Sequence, residues 1–488
     1  MVELTFYGGV NEIGGNKILL EDGDTKIFLD FGMSFSQANK YFSEFLQPRK
    51  CNGLGDFIEF NLIPDLKGLY REDFLKHMER PHESLGFDGM LLSHAHADHA
   101  SYINHLREDL PIFCSQESYR ILKAMNDTGA GSFNDITDLT RCFETYVNKK
   151  GELSRKTTQS HEDLKVDRNY QTFEFGKPFK IKHLTIEPYR VDHSLSGATG
   201  YIIHTSSGTV VYTGDFRFHG RREKETTEFM YACKDARPDL LVIEGTRVDE
   251  ESSKKEADVE DEICNISNGA KGISVCNWSV RDTDRMLSFL NAAKKMDKKL
   301  AISLKQAYLL DQLSKCSDTL APKLDDGNIT FYANRKSWGL IGSSKCDLKI
   351  RNQDYDTWER PYLDRSICYK DIKANQKDYL MFCTNFDLKE LIDIDPIEGS
   401  VYIKSVCEPF DAEMEIDWER IQNWINHFGL GITSTHVSGH ASANQLKEFV
   451  EQVSPKTVIP IHTENAQAYT KWSKNVYLLK EPGATFKL

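Results

Sequence analysis

Three short apolar runs open the chain, at 2–7, 17–21 and 26–31, the first of them alternating, and they are separated by Gly8-Gly9, Gly14-Gly15 and Asp22-Gly23-Asp24. A period of two puts alternate side chains on one face of a strand, and the glycine-rich breaks are turn chemistry. The pattern therefore predicts β-hairpins up to about residue 35. Strand-like runs return at 90–92 and 112–114, after which Ser115 stands as an N-cap before helical periodicity from Gln116 to about Met125. Further strands are predicted at 179–191, 200–205, 209–212 and 240–243. Two stretches break the rhythm: 36–86 is irregular and rich in aromatic and charged residues, and 126–170 is polar without a sustained period, expected as a loop or excursion.

Beyond 249–262, a charge-dense stretch expected to be a solvated linker, strands and helices alternate. A strand at 272–276 precedes a helix at 282–295, a strand at 300–304 precedes a helix at 306–314, and more strands follow at 329–332, 379–383 and 400–405. That alternation indicates a parallel, doubly wound unit. From about Gly431 come a Gly/Ser/His-rich turn, an amphipathic helix at 443–453, a buried strand at 457–461 and a short β segment.

Composition narrows the class. With 488 residues and 40% hydrophobic content, the chain is an ordinary globular one, large enough for two or three domains. A net charge of −13 excludes a blanket of positive charge for holding nucleic acid or membrane, although a local basic groove survives. Eleven cysteines without a Cys-x-x-Cys pair suit reduced thiols. The start carries no basic n-region or apolar h-region, and no uncharged stretch reaches the ~18 residues of a membrane span. A soluble, cytoplasmic protein without membrane partners is expected.

The chemistry concentrates in Ser93-His94-Ala95-His96-Ala97-Asp98-His99, directly after an apolar strand. Four coordinating groups at a strand end are costly to place unless they pair with metal. His94 and His96 point to one side of an extended segment while Asp98 and His99 lie past the turn, which supplies ligands to two adjacent ions. Asp192-His193-Ser194 and Thr213-Gly214-Asp215 follow later strands, and the Asp215 carboxylate could bridge both ions.

With these residues in place, the sequence resembles the metallo-β-lactamase superfamily: Asp30 after an early strand, His-x-His-x-Asp-His at 94–99, His193 and Asp215. The segment Gly8-Gly9-Val10-Asn11-Glu12-Ile13-Gly14 and three later motifs resemble the β-CASP branch, ribonuclease J-like. Those motifs are Glu244 at a strand end, His440 in His436-Val437-Ser438-Gly439-His440, and His462 after a late strand. The resemblance implies an α/β fold, a metallo-β-lactamase αββα sandwich (1–246 and 431–488) carrying an inserted β-CASP α/β domain (247–430). It implies two zinc ions, with Mn²⁺ as the alternative cation for the same ligands. His94, His96 and His193 would hold one ion, and Asp98, His99 and His462 the other, bridged by Asp215. Asp30 would orient a ligand imidazole through its other ring nitrogen. Glu244 would hydrogen-bond His440, the proposed general acid, and a histidine at 462 favours RNA over DNA.

His436, Ser438, Gly439 and His440 are expected to cradle a substrate phosphate. The basic and aromatic run 216–222 places Arg217 beside the metals, to contact backbone phosphate or to form part of a solvated loop. Arg281 and Arg285 are similar candidates, while Trp278 and the aromatics of 355–369 read as packing. His77, His82, His105, His161, His183, His204, His219 and His427 match no ligand motif. Three features depart from ribonuclease J: the chain ends at Leu488 without room for that family's C-terminal domain, Thr463 stands where glycine is usual, and the insertions 36–86 and 126–170 lie beside the expected site. The first leaves a homodimer open. The leading reading is a zinc-dependent ribonuclease, endonucleolytic, 5′–3′ exonucleolytic or both. Its rivals are hydrolysis of DNA or of a non-nucleic-acid substrate, and a catalytically dead RNA-binding scaffold.

Overall fold

The computed structural model describes residues 1–488 apart from 44, 50–51, 130–132, 143, 157–159, 161, 252–253, 337–340, 344–345, 350–351 and 409–411. It divides into two compact units, one of Met1–Phe218, Arg222–Ser252 and Gly439–Leu488, the other of His219–Arg221 and Ser253–Ser438.

In the first unit, one sheet runs in the order Tyr170–Phe173, Ile112–Ser115, Gly89–Leu91, Thr25–Phe31, Lys17–Asp22, Val2–Gly8, Ala484–Lys487. Its N-terminal hairpins are antiparallel, and Thr25–Phe31 then pairs in parallel with Gly89–Leu91. The second sheet runs Phe179–Ile181, Leu184–Arg190, Thr199–Thr205, Gly208–Tyr212, Leu240–Ile243, Thr457–Pro460, with its last three strands parallel. Side-chain alternation explains the packing. Tyr201, Ile203, Leu240 and Val242 meet Leu4, Phe6, Ile18 and Leu29 of the first sheet in a shared core. Ile202, Leu241 and Ile243 point the other way, against Phe229 of helix Glu223–Ala236 and Phe449 of helix Ala443–Val453. Both faces are covered, so Leu240–Ile243 is apolar throughout. This is the αββα sandwich.

The second unit is doubly wound, as its alternating pattern predicts. Its strands lie in the order Ser366–Ile367, Ile329–Tyr332, Lys299–Ser303, Tyr379–Phe382, Ser274–Asn277, Val401–Lys404, Gly431–Ser434, and every pairing is parallel. Helix Thr283–Lys295 begins at N-cap Asp282 and packs Met286, Phe289 and Leu290 onto one face. Ile421 and Ile425 of helix Ala412–His427 pack onto the other. Trp278 stacks on Phe289 at 4.4 Å, a packing role.

Three expectations change. The charge-dense stretch 249–262 is no simple linker: helix Glu256–Gly269 begins within it, and Glu256 is buried against Arg285, so part of its acidity balances a buried cation. The stretch 126–170 holds the antiparallel strand pairs Asp138–Thr140 with Lys165–Asp167 and Thr145–Val147 with Leu153–Arg155, whose segments are too short to show a period. Cys142 is disulfide-bonded, so the expected reduced thiols do not include it. Cys51 and His161 lie outside the described residues. Among the described residues no helix is long and apolar enough to cross a membrane.

Both insertions brace the segment that follows the histidine cluster. Arg71 donates to Asn104 O (3.3 Å) and pairs with Asp73 and Asp135, while Arg168 donates to Asn104 O (3.1 Å) and Leu106 O (2.7 Å). His105 lies between them, packed on Phe57 at 4.6 Å, and neither ring nitrogen has a hydrogen-bond partner among the described residues. Burial first, then the charges of Arg71 and Arg168, push its imidazole down to about 3. The unfolded chain, with an ordinary value of ~6.5, binds that proton at higher pH than the fold does. The stabilisation is therefore present above pH ~6.5 and is lost as pH falls toward 3. Between pH 7.5 and 5, the unfolding free energy of His105→Phe, measured by urea titration, should fall by about 2 kcal/mol less than that of the wild type. Equal falls would mean that His105 is charged in the fold.

Candidate metal centre

Every candidate ligand stands just past a strand. Gly89–Leu91 leads to His94, Leu184–Arg190 to His193, Gly208–Tyr212 to Asp215 and Thr457–Pro460 to His462. His96 caps the short helix Ala97–Ala100, which carries Asp98 and His99. The ligand atoms gather in two groups, His94 with His96, His193 and Asp215, and Asp98 with His99, Asp215 and His462, each with all its atoms within 4.8 Å of one another. Asp215 belongs to both: its Oδ2 is 3.6 Å from His94 Nε2, 3.1 Å from His99 Nε2 and 3.7 Å from His462 Nε2. His462 Nε2 is also 3.1 Å from Asp98 Oδ2.

The outer ring nitrogens show which atoms face inward. His193 Nδ1 lies 2.6 Å from Gly439 O, and a carbonyl can only accept, so the proton is on Nδ1 and Nε2 offers a lone pair. Asp30 accepts from Ser93 N and Ser93 Oγ, both at 2.6 Å, and from His99 Nδ1 at 2.7 Å. Ser93 Oγ has its one proton on Asp30, so it accepts from His94 Nδ1 (3.0 Å), and His94 Nε2 is also a lone pair. His94 Nε2 and His193 Nε2 both lie within 3.0 Å of His96 Nδ1, where a single proton could serve only one of them. His99 Nε2 and both Asp215 carboxylate oxygens are buried without a hydrogen bond. Converging lone pairs and an unsatisfied buried carboxylate fit cations, and these residues could hold two.

Protonation follows the same logic. Burial, with neighbouring imidazoles, holds His94 and His193 well below the ordinary imidazole value and therefore neutral, as metal ligands must be. Burial opposes ionisation of Asp215, but the imidazoles of His462, His99 and His440 outweigh it and hold the carboxyl well below its usual range. Asp30 at φ 57° and His462 at φ 52° both have left-handed backbone. Gly32 packs so closely that a Cβ there would sit 1.7 Å from Asp98 O, so only glycine lets this loop lie against the ligand segment.

Beside the centre, His440 Nδ1 lies 3.2 Å from Glu244 Oε2 and 3.8 Å from Asp215 Oδ2. Glu244 is buried and also accepts from Phe216 N and Thr246 N, both at 3.1 Å. Burial lowers the His440 pKa, but the Glu244 and Asp215 charges outweigh it and lift the value to about 9.

The other expected contacts are divided between the two units by residue. Ser438 and His436 belong to the second unit, Gly439 and His440 to the first. Arg217 does not face substrate: it is 1% exposed, and its Nε donates to Asp192 Oδ1 at 3.1 Å, because a guanidinium buried beside His193 needs an anion. It steadies the residue preceding a candidate ligand instead. Arg285 is likewise fully buried. Two residues escaped sequence reasoning. Thr246 Oγ1 lies 2.8 Å from His462 Nδ1, and the Tyr212 hydroxyl donates to Asp30 at 2.5 Å. Their one sequence signal is position, at or just past the strand ends that carry Asp215 and Glu244.

Comparison with known proteins adds to this geometry. Residues 60–295 match the family model "Beta-lactamase superfamily domain", and residues 430–477 match "Zn-dependent metallo-hydrolase RNA specificity domain". A ribonuclease J of Mycoplasma genitalium is 21% identical over 94% of this chain and 67% of its own length. One of Pyrococcus abyssi is 21% identical over 95% of this chain and 90% of its own. A crystal structure from Enterococcus faecalis V583, titled as a protein of unknown function, superposes over 100% of both chains with a TM-score of 0.73 at 21% identity, which establishes the shared fold.

Thr246→Val keeps the shape but removes the hydroxyl at His462. It should weaken metal retention about tenfold or more in a chelator competition, while thermal unfolding of the metal-free protein stays unchanged. Undiminished retention would show that this hydroxyl does not orient His462.

Proposed function

The chain belongs to the ribonuclease J-like β-CASP branch of the metallo-β-lactamase superfamily and is a metal-dependent hydrolase, and from that premise we propose that it is a zinc-dependent ribonuclease. The observation that carries the reading is the pair of ligand groups joined at Asp215, with His440 and Glu244 set against the same carboxylate. Match of residues 430–477 to an RNA specificity domain, a span that includes His440 and His462, supports RNA as the substrate.

His94, His96 and His193 would hold one zinc ion and Asp98, His99 and His462 the other, with Asp215 between them; Mn²⁺ is the alternative occupant. Such a pair, when bound, lowers the pKa of water toward ~7 and neutralises charge growing on phosphoryl oxygens. The protein's own groups do the rest. Asp30 and Thr246 orient His99 and His462 from outside, so that their inner nitrogens stay aimed at the centre. Glu244 holds His440 through Nδ1, which leaves Nε2 to carry a proton to the departing 3′ oxygen. Without that proton the leaving alkoxide is poor. Cuts fall internally, at the 5′ end, or both. A cytoplasmic location and a homodimer belong to the same proposal.

Incubation with 5′-labelled monophosphorylated RNA and matched DNA, with and without chelator, tests the reading. RNA should be cleaved, chelator should abolish the cleavage, and the product lengths should separate terminal from internal cutting. Intact RNA in the presence of ample zinc would sink the proposal. His440→Ala should retain its zinc yet lose turnover by about 100-fold or more, the usual worth of a positioned proton donor. Retained turnover would remove His440 from the acid role.

A further inference from the structure

We propose that Lys17 is a positioning residue for Asp98: its buried ammonium pins two peptide groups whose opposite ends hold the backbone that carries this candidate ligand. The inference rests on the metal-ion reading of the site and not on RNA as the substrate.

Lys17 opens strand Lys17–Asp22 and is 2% exposed. Its Nζ donates to Gly15 O at 2.7 Å and to Gly32 O at 3.0 Å. It therefore joins the glycine-rich turn before its own strand to the residue that follows strand Thr25–Phe31. Each of those carbonyls belongs to a planar trans peptide, in which the N–H points away from the C=O. The N–H of the Gly15–Asn16 peptide donates to Asp98 O at 3.1 Å, and that of the Gly32–Met33 peptide donates to Ala97 O at 3.0 Å. Gly32 N also donates to Asn16 O at 2.9 Å, which ties the two loops to each other. One ammonium thus stands behind both contacts to Ala97 and Asp98, the first two residues of the ligand helix. The Asp98 side chain lies against the same turn, where a Cβ on Gly14 would sit 2.7 Å from Asp98 Cβ. A shift of the turn is felt directly by the ligand.

Packing alone does not call for an ammonium here. Burial pushes its pKa down to about 8 against the opposing charge of Glu12, so it is still protonated at pH 7. Among the described residues no carboxylate pairs with it, and Glu12 accepts instead from Gly9 N, Ser34 Oγ and Ser36 Oγ. Beyond the two carbonyls the ammonium has the Tyr102 ring, 5.4 Å away at its centroid. Burying a cation without a counter-charge is costly. Methionine, also unbranched and apolar, would fill the space without that cost. What methionine would lose is the pair of hydrogen bonds to Gly15 and Gly32. The other ligand group is held independently, His94 by Ser93 Oγ and His193 by Gly439 O. The effect of Lys17 therefore falls on the ion held by Asp98, His99 and His462.

Stepwise zinc binding in competition with a fluorescent chelator tests this, with His462→Ala marking which ion is lost with that group. The wild type should bind two ions. Lys17→Met should hold one of them within about threefold of the wild type and the His462-dependent one about tenfold or more weaker, as when a group that orients a ligand is removed. Lys17→Gln, which keeps an N–H donor on a shorter side chain, should recover part of that loss, and it carries the same comparison if Lys17→Met does not fold. Equal weakening of both ions, as a general loosening of the fold would give, or no weakening of either, overturns the proposal. A wild type that takes up no zinc sinks the metal reading, and this inference with it.

Discussion

A carboxylate held at 1% exposure with neither oxygen hydrogen-bonded is costly to bury, and Asp215 is in that state. Only positive charge offsets it. The nearest groups are imidazole nitrogens from three separate strand ends, and two of the rings, His94 and His193, are themselves kept neutral by burial. His99 differs: burial opposes its charge, but the Asp215, Asp30 and Asp98 carboxylates outweigh that and raise its proton affinity, so the site gathers imidazoles around carboxylates that attract positive charge. The outer partners, Asp30, Ser93, Gly439 O and Thr246, follow from this requirement, since each turns an imidazole so that its lone pair faces in.

Strand direction brings these groups together. Gly208–Tyr212, Leu240–Ile243 and Thr457–Pro460 are adjacent and parallel, so the residues that follow them, Asp215, Glu244 and His462, emerge at the same sheet edge although 247 positions of sequence separate the first from the last. The parallel pairing of Thr25–Phe31 with Gly89–Leu91 does the same for Asp30 and the histidine cluster. Hydrophobic burial on both faces fixes the register, and the register fixes the chemistry.

Much of this was legible in the chain. The hairpins, the helix after Ser115 and the alternating second unit follow from apolar period and turn residues, and the ligand types follow from their position after apolar strands. What was not legible shares a cause: it depends on partners distant in sequence. Arg217 and Arg285 look alike as exposed phosphate contacts until Asp192 and Glu256 are found against them. Thr246 and Tyr212 have no composition signal, because a hydroxyl becomes an orienting group only when His462 or Asp30 arrives beside it. Glu256 was hidden by its setting among solvated acids, since charge density alone does not reveal which carboxylate turns inward.

The left-handed backbone at Asp30 and His462 has an evolutionary corollary. Aspartate, asparagine and histidine enter that region more readily than other residues with a side chain. Glutamate at 30 would keep the charge but sit badly on the main chain; asparagine would fit the main chain but forfeit the charge. Conformational and chemical preferences therefore both favour aspartate at that position.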